Sequence, residues 1–161
     1  MTANELFRAS EMLDMAVQIE RQGVPASAAC ANSETHRSVK DMFHYLMNQE
    51  KQHARVFSGM REKLEDDYPV PESYPGEMQN YMDAFVKGKV FEDPAQAEKT
   101  GRETTDPAAA IDFGLDIEKA SILFYSGMKQ FVRASDKEDL DRIIAEEQEH
   151  VRRLLSLRRG I

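Results

Sequence analysis

The chain has one cysteine, Cys30, and no tryptophan. A lone thiol excludes an intrachain disulfide, a four-cysteine zinc site and a rubredoxin-type iron site. Long apolar runs are missing too, none approaching the ~20 residues that a membrane-spanning helix needs. The opening segment MTANELFRAS lacks the basic-then-apolar pattern of a secretory signal. Positive charge is scarce: 21 Lys and Arg face 29 Asp and Glu across 161 residues, a net charge of −8. That balance argues against general affinity for nucleic acid, which needs a basic face. The arginines of RRLLSLRRG read as a last helical turn complementing its own dipole. A soluble cytoplasmic protein, with neither a membrane nor nucleic acid as partner, is the expectation.

What is present favours helix. Ala, Leu, Met, Glu, Lys and Arg dominate, and few stretches cluster β-branched residues. The length fits one domain, residues 1–161, around a single core. A first helix is expected from about residue 4 to about residue 31, with Leu13, Ala16, Val17 and Glu20 on one face; Leu6 lies one heptad before Leu13. Pro25 falls inside it, where proline usually kinks a helix. The second helix carries Val39, Phe43, Leu46, Glu50, His53, Phe57, Met60 and Leu64 at alternating steps of four and three, an apolar stripe interrupted by a carboxylate and an imidazole. The third opens at Asp106-Pro107, a cap followed by proline in the first turn, with Ile111, Leu115, Glu118, Ile122, Tyr125 and Met128 on its stripe. The fourth reads as starting with a capping box, Ser135 and Glu138, and carries Leu140, Ile143, Glu147, His150, Leu154 and Leu157.

Short turns predict two antiparallel hairpins, at about 4–65 and about 106–159, in an all-α four-helix bundle. Between them, about 66–105 reads as a crossover spanning the bundle. It contains a helix in EMQNYMDAFVKG ended by Gly88, and another in DPAQAEKTG capped by Asp93 and stopped by Gly101.

Each hairpin places a lone glutamate on its first helix and Glu-x-x-His on its second. Glu20 and the Glu50/His53 pair stand equally far from the first turn, and Glu118 and the Glu147/His150 pair from the second, so the six side chains meet at mid-height. Residues three apart share a helix face, so each Glu-x-x-His can grip one ion. Four carboxylates balance two divalent cations, while burying them unpaired costs several kcal/mol per ion. His44 and Asp41 share the acid-then-histidine spacing but fall off the stripe, a surface pair; His36 sits at a turn; Glu146 and Glu149 read as surface charge.

The segments AVQIERQG, LMNQEKQHARVF, GLDIEKASILFYSGM and IIAEEQEHVRRL resemble those of rubrerythrin-like members of the ferritin-like superfamily, and YMDAFVKGKVF resembles the crossover of their short, single-domain branch. The resemblance covers nearly the whole chain. It implies a ferritin-like bundle holding two Fe ions through Glu20, Glu50, His53, Glu118, Glu147 and His150. Reduction of hydrogen peroxide or oxygen by the reduced centre is the implied activity. Tyr125, seven residues after Glu118, is in place to donate a hydrogen bond to a ligand carboxylate; Ser27 stands at the matching position after Glu20. Ser121 occupies the place of a further glutamate that in rubrerythrins takes part in a redox-linked shift of one iron. A carboxyl-terminal rubredoxin domain is absent, implying a separate electron-donor protein, and a homodimer is the expected assembly. Carboxylate-rich sites also suit Mn, and Zn substitution is compatible with the ligands. Two other functions fit the same residues: oxidation of Fe(II) for storage or delivery, and a non-catalytic bundle stabilised by metal.

Overall fold

The structure, a computed structural model, describes residues 8–33, 35–70, 74, 76–78, 80–81 and 94–161. Among the described residues it is all-α, a bundle of two antiparallel helical hairpins. Helix α1 spans Ala9–Ser33 and α2 spans Arg37–Glu62. A crossover helix α3 covers Pro94–Glu103, followed by α4 at Pro107–Met128 and α5 at Lys137–Arg159. The α1–α2 and α4–α5 hairpins pack on one another, and α3 lies against α1. Residues 4–7, Gly88 and Asp93, which carry parts of the expected first helix and of the crossover helices, lie outside the described residues. Among the described residues, no helix is long and apolar enough to cross a membrane.

The helices bury the stripes that their spacing predicts, and those stripes form two apolar layers. One gathers Met12, Leu13, Ala16 and Val17 of α1, Phe57 and Met60 of α2, Phe124, Tyr125 and Met128 of α4, and Leu140 and Ile143 of α5. The other gathers Cys30 and Ala31, Val39, Phe43 and Leu46, Ile111 and Leu115, and Leu154. On all four helices the residues between these layers include a buried glutamate. The heights inferred from the turns therefore hold. Ile122, expected on the α4 stripe, is only partly buried, and Ser121 and Phe124 face inward instead; Leu64, past the end of α2, and Leu157 are likewise only partly buried.

The ends are tied by specific bonds. Asp67, just past α2, accepts from the Ser10 backbone and hydroxyl at 3.0 and 2.7 Å, supplying a cap to α1 from outside that helix. Tyr68 donates to the Phe131 carbonyl at 2.7 Å and Arg133 to the Lys63 carbonyl at 2.9 Å, joining the two hairpins. Asp106 caps α4 as expected, accepting from the Ala109 amide at 2.8 Å.

Two expectations need correction. The capping box at Ser135 does not form. A 3-10 turn at Ala134–Asp136 precedes α5, which starts at Lys137, and Asp136 is drawn to Arg133 at 3.1 Å instead of capping. Gly101 does not stop α3, which runs on to Glu103. Its role is close approach: a Cβ there would stand 2.8 Å from the Ala26 carbonyl oxygen and 3.2 Å from Cys30 Sγ. Helix α1 also continues through Pro25, packed between α2 and α3.

Candidate metal centre

The polar layer between the two apolar cores is built from one face of each long helix. Glu20, Glu118 and Glu147 are 2–3% exposed, Glu50 7%, His53 2% and His150 1%. Their donor atoms form two groups, Glu20–His53–Glu147 and Glu118–Glu147–His150, within each of which the ligand atoms lie within 4.8 Å of one another. Glu147 belongs to both. Its Oε1 is 3.0 Å from His53 Nδ1 and its Oε2 is 2.9 Å from His150 Nδ1. Glu20 Oε1 and Glu118 Oε2 complete the groups, 3.6 Å from His53 Nδ1 and 3.5 Å from His150 Nδ1. The imidazoles stack at 5.9 Å between centroids.

Five of the six expected residues thus converge in two triads. Glu50 is the sixth and stands outside both triads. Ser27 donates to its Oε1 at 2.9 Å, and among the described residues its Oε2 is buried without a partner. Gly23 makes room for it: a Cβ there would stand 2.9 Å from Glu50 Cδ and Oε1. Tyr125, wholly buried, donates its hydroxyl to Glu20 Oε1, the outer contact expected of it.

Sequence reasoning missed two neighbours of the site. Glu146 is no mere surface charge: its Oε2 accepts from His53 Nε2 at 2.9 Å, although the side chain is 42% exposed. Ser27 is the other, holding Glu50. The signal for Ser27 was its place seven residues after Glu20, matching Tyr125 after Glu118. For Glu146, which sits one position off the stripe, the signal was only its adjacency to Glu147. The remaining off-stripe groups lie at the surface as expected, although the ion pair found at Asp41 is with Arg37, where a contact with His44 was expected. Asp41, His44 and His36 are exposed, with Asp41 facing Arg37 at 3.8 Å, and Glu149 bonds Arg152 and Arg153.

Electrostatics shows what this arrangement asks for. Burial, reinforced by neighbouring carboxylates, pushes Glu50 up to about 8. Burial likewise raises Glu20 to about 7 and Glu118 well above the carboxylate range. Burial alone would lower His53, but hydrogen bonds to Glu147 and Glu20 outweigh it and raise the imidazole to about 11. Burial would raise Glu147; bonds with Glu118, His150 and His53 hold it below the usual range instead. Protons therefore stand where positive charge is wanted. A donor set of four carboxylates and two imidazoles, with one carboxylate oxygen left without a partner, fits a pair of hard or borderline divalent cations.

No protein-family model matches the chain, and no curated protein sequence does. Among solved structures, the fold is similar to a crystal structure from Thermotoga maritima, described provisionally as a ferritin-like diiron-carboxylate protein. That match has a TM-score of 0.71 at 23% identity and covers 98% of both chains. The architecture is therefore ferritin-like over essentially the whole chain.

Proposed function

We propose that this chain is a dimetal-carboxylate protein, with iron as the native metal, that reduces hydrogen peroxide or oxygen in the manner of rubrerythrin-like proteins. The observation that carries the reading is Glu147, a buried carboxylate whose two oxygens each face a different Glu/His pair. Glu20 and His53 would hold one ion and Glu118 and His150 the other. Glu147 would lie between them, and Glu50 would offer its free oxygen from α2. The diiron-carboxylate description of the structural neighbour and the rubrerythrin-like segments support iron and a redox role. When bound and reduced, the pair supplies the two electrons that peroxide reduction consumes.

The chain's own residues do the rest. The apolar layers on either side keep bulk water from the centre. Tyr125 fixes one oxygen of Glu20, and Ser27 fixes one of Glu50, so each carboxylate keeps a defined orientation. The protons that these carboxyls and His53 carry without metal are displaced on loading. Electrons for repeated turnover would come from a separate donor protein. Anaerobic loading with Fe(II), followed by stopped-flow mixing with peroxide, tests the reading. Rapid growth of ferric absorbance is expected; a loaded protein that stays colourless for minutes would contradict it.

A further inference from the structure

The two triads are not equivalently supported. In the first, both terminal residues are held from behind: Tyr125 bonds Glu20, and Glu146 accepts from His53 Nε2 at 2.9 Å. In the second, His150 Nε2 is buried without a partner among the described residues, and the hydrogen-bond contacts of Glu118 run inward to Glu147. The sequence repeat shows why. Glu146 immediately precedes the glutamate of its Glu-x-x-His; the residue at the matching place in the first hairpin is Gln49. The hairpin that presents His53 thus receives a carboxylate from its neighbour, whereas the first hairpin carries an amide, Gln49, at the corresponding place in its sequence and His150 Nε2 receives no such partner among the described residues.

A carboxylate behind a histidine fixes the ring and its tautomer and makes the opposite nitrogen a better donor; losing such a partner typically costs about 10–100-fold in metal affinity. In the Glu20–His53–Glu147 pocket Nδ1 faces Glu147 Oε1 at 3.0 Å and would be the nitrogen offered to a bound ion, while Nε2–H bonds outward to Glu146.

We infer that the two metal positions are unequal and fill in order, the Glu20–His53–Glu147 pocket first, with Glu146 as the positioning residue that sets the difference. The inference rests on the dimetal reading above and goes beyond it by ranking the two pockets. Because Glu146 lies at the surface, its replacement by glutamine leaves the core packing intact.

The test is anaerobic Co(II) binding to the full chain, followed by isothermal titration and visible absorption. Wild type is expected to take up two ions in distinguishable steps, the first at least about tenfold tighter. Glu146→Gln should weaken the first step by about 10–100-fold and leave the second within about twofold. Glu146→Asp should restore part of the loss. His150→Ala should remove the second step and spare the first. Two ions bound by wild type with both steps unaffected, or equally weakened, in Glu146→Gln would overturn the ordering while leaving the dimetal reading intact. A wild-type chain that binds no Co(II) overturns both.

Discussion

The two hairpins carry the same chemical pattern on different scaffolding. Each offers a lone glutamate and a Glu-x-x-His at matching height. Yet seven residues beyond the lone glutamate one has Ser27 and the other Tyr125, and before the Glu-x-x-His one has Gln49 and the other Glu146. Tyr125 is long enough to cross to Glu20 of the opposite hairpin, whereas Ser27 reaches only Glu50 on the adjacent helix. The comparison teaches that the two lone glutamates and the two histidines of the candidate centre obey the pseudo-symmetry, whereas Glu147 and Glu50, and the residues behind the site, do not. A bundle built by repetition can therefore make two chemically similar pockets with different grip.

The largest effect should come from the residue common to both halves. Glu147→Ala removes the one carboxylate shared by both triads and takes from the His53 cation its hydrogen-bonded partner within the core. It should abolish binding of both ions and destabilise the metal-free fold by about 3–5 kcal/mol in denaturant titrations. Glu50→Ala removes a carboxyl outside the triads and should weaken binding less. If the two variants lose metal equally, the central place given to Glu147 is wrong.

Next in size is the response to pH. Glu20 at about 7, Glu50 at about 8 and His53 at about 11 all hold protons more tightly folded than unfolded. Their contribution to stability is fully present below the unfolded values of 4.5 for the carboxyls and 6.5 for the histidine. It is lost as pH rises through the folded values. Glu147 has the opposite sign: its contribution is present above the unfolded value of 4.5 and is lost as the pH falls into the acid range. Metal-free protein should therefore melt at progressively lower temperature from about pH 5 to about pH 9. Because cations replace those protons, the rise in melting temperature on loading should be greater at about pH 8 than at about pH 6. A flat profile would show that the cluster is not proton-loaded.

The contrast between Tyr125 and Ser27 gives a smaller effect. Tyr125→Phe deletes a hydrogen bond to a buried carboxylate, with an expected cost of about 1.5–3 kcal/mol. Ser27→Ala deletes one to a carboxyl whose proton is retained near neutrality, with an expected cost of about 1 kcal/mol. Calorimetry on the two variants without metal measures the difference, and equal losses would argue that the two supports are interchangeable. Smallest of all is the capping contrast within the second hairpin. Asp106→Ala should lower stability by about 1 kcal/mol through the lost cap on α4, while Ser135→Ala changes it by less than about 0.5 kcal/mol.

Most of this fold is legible in the chain because helix periodicity and turn position together set both face and height. Val39 through Met60 and Leu140 through Leu154 announce which side is buried, and the turns make the six charged positions level. Glu146 was not legible: from its place on α5 it is a surface residue, and only the separation of α2 and α5 lets its long side chain reach His53. Gly101 was misread for a similar reason. Glycine marks a helix end or a close crossing equally well, and only the approach of α3 to α1 decides between them. Ser135 had the right spacing for a capping box, but Arg133 draws Asp136 into a turn that moves the N-cap one residue on, from Ser135 to Asp136.

The central claim is that Glu20, His53, Glu118, Glu147 and His150 would hold two cations at the level between the two apolar layers, with Glu147 common to both triads. It is tested most directly by metal analysis of protein purified without oxygen, wild type beside Glu147→Ala. The account predicts two ions per wild-type chain, with iron dominant, and none retained by the variant. Two ions per chain in both, or a wild-type protein that stays metal-free under excess ferrous salt, would contradict it.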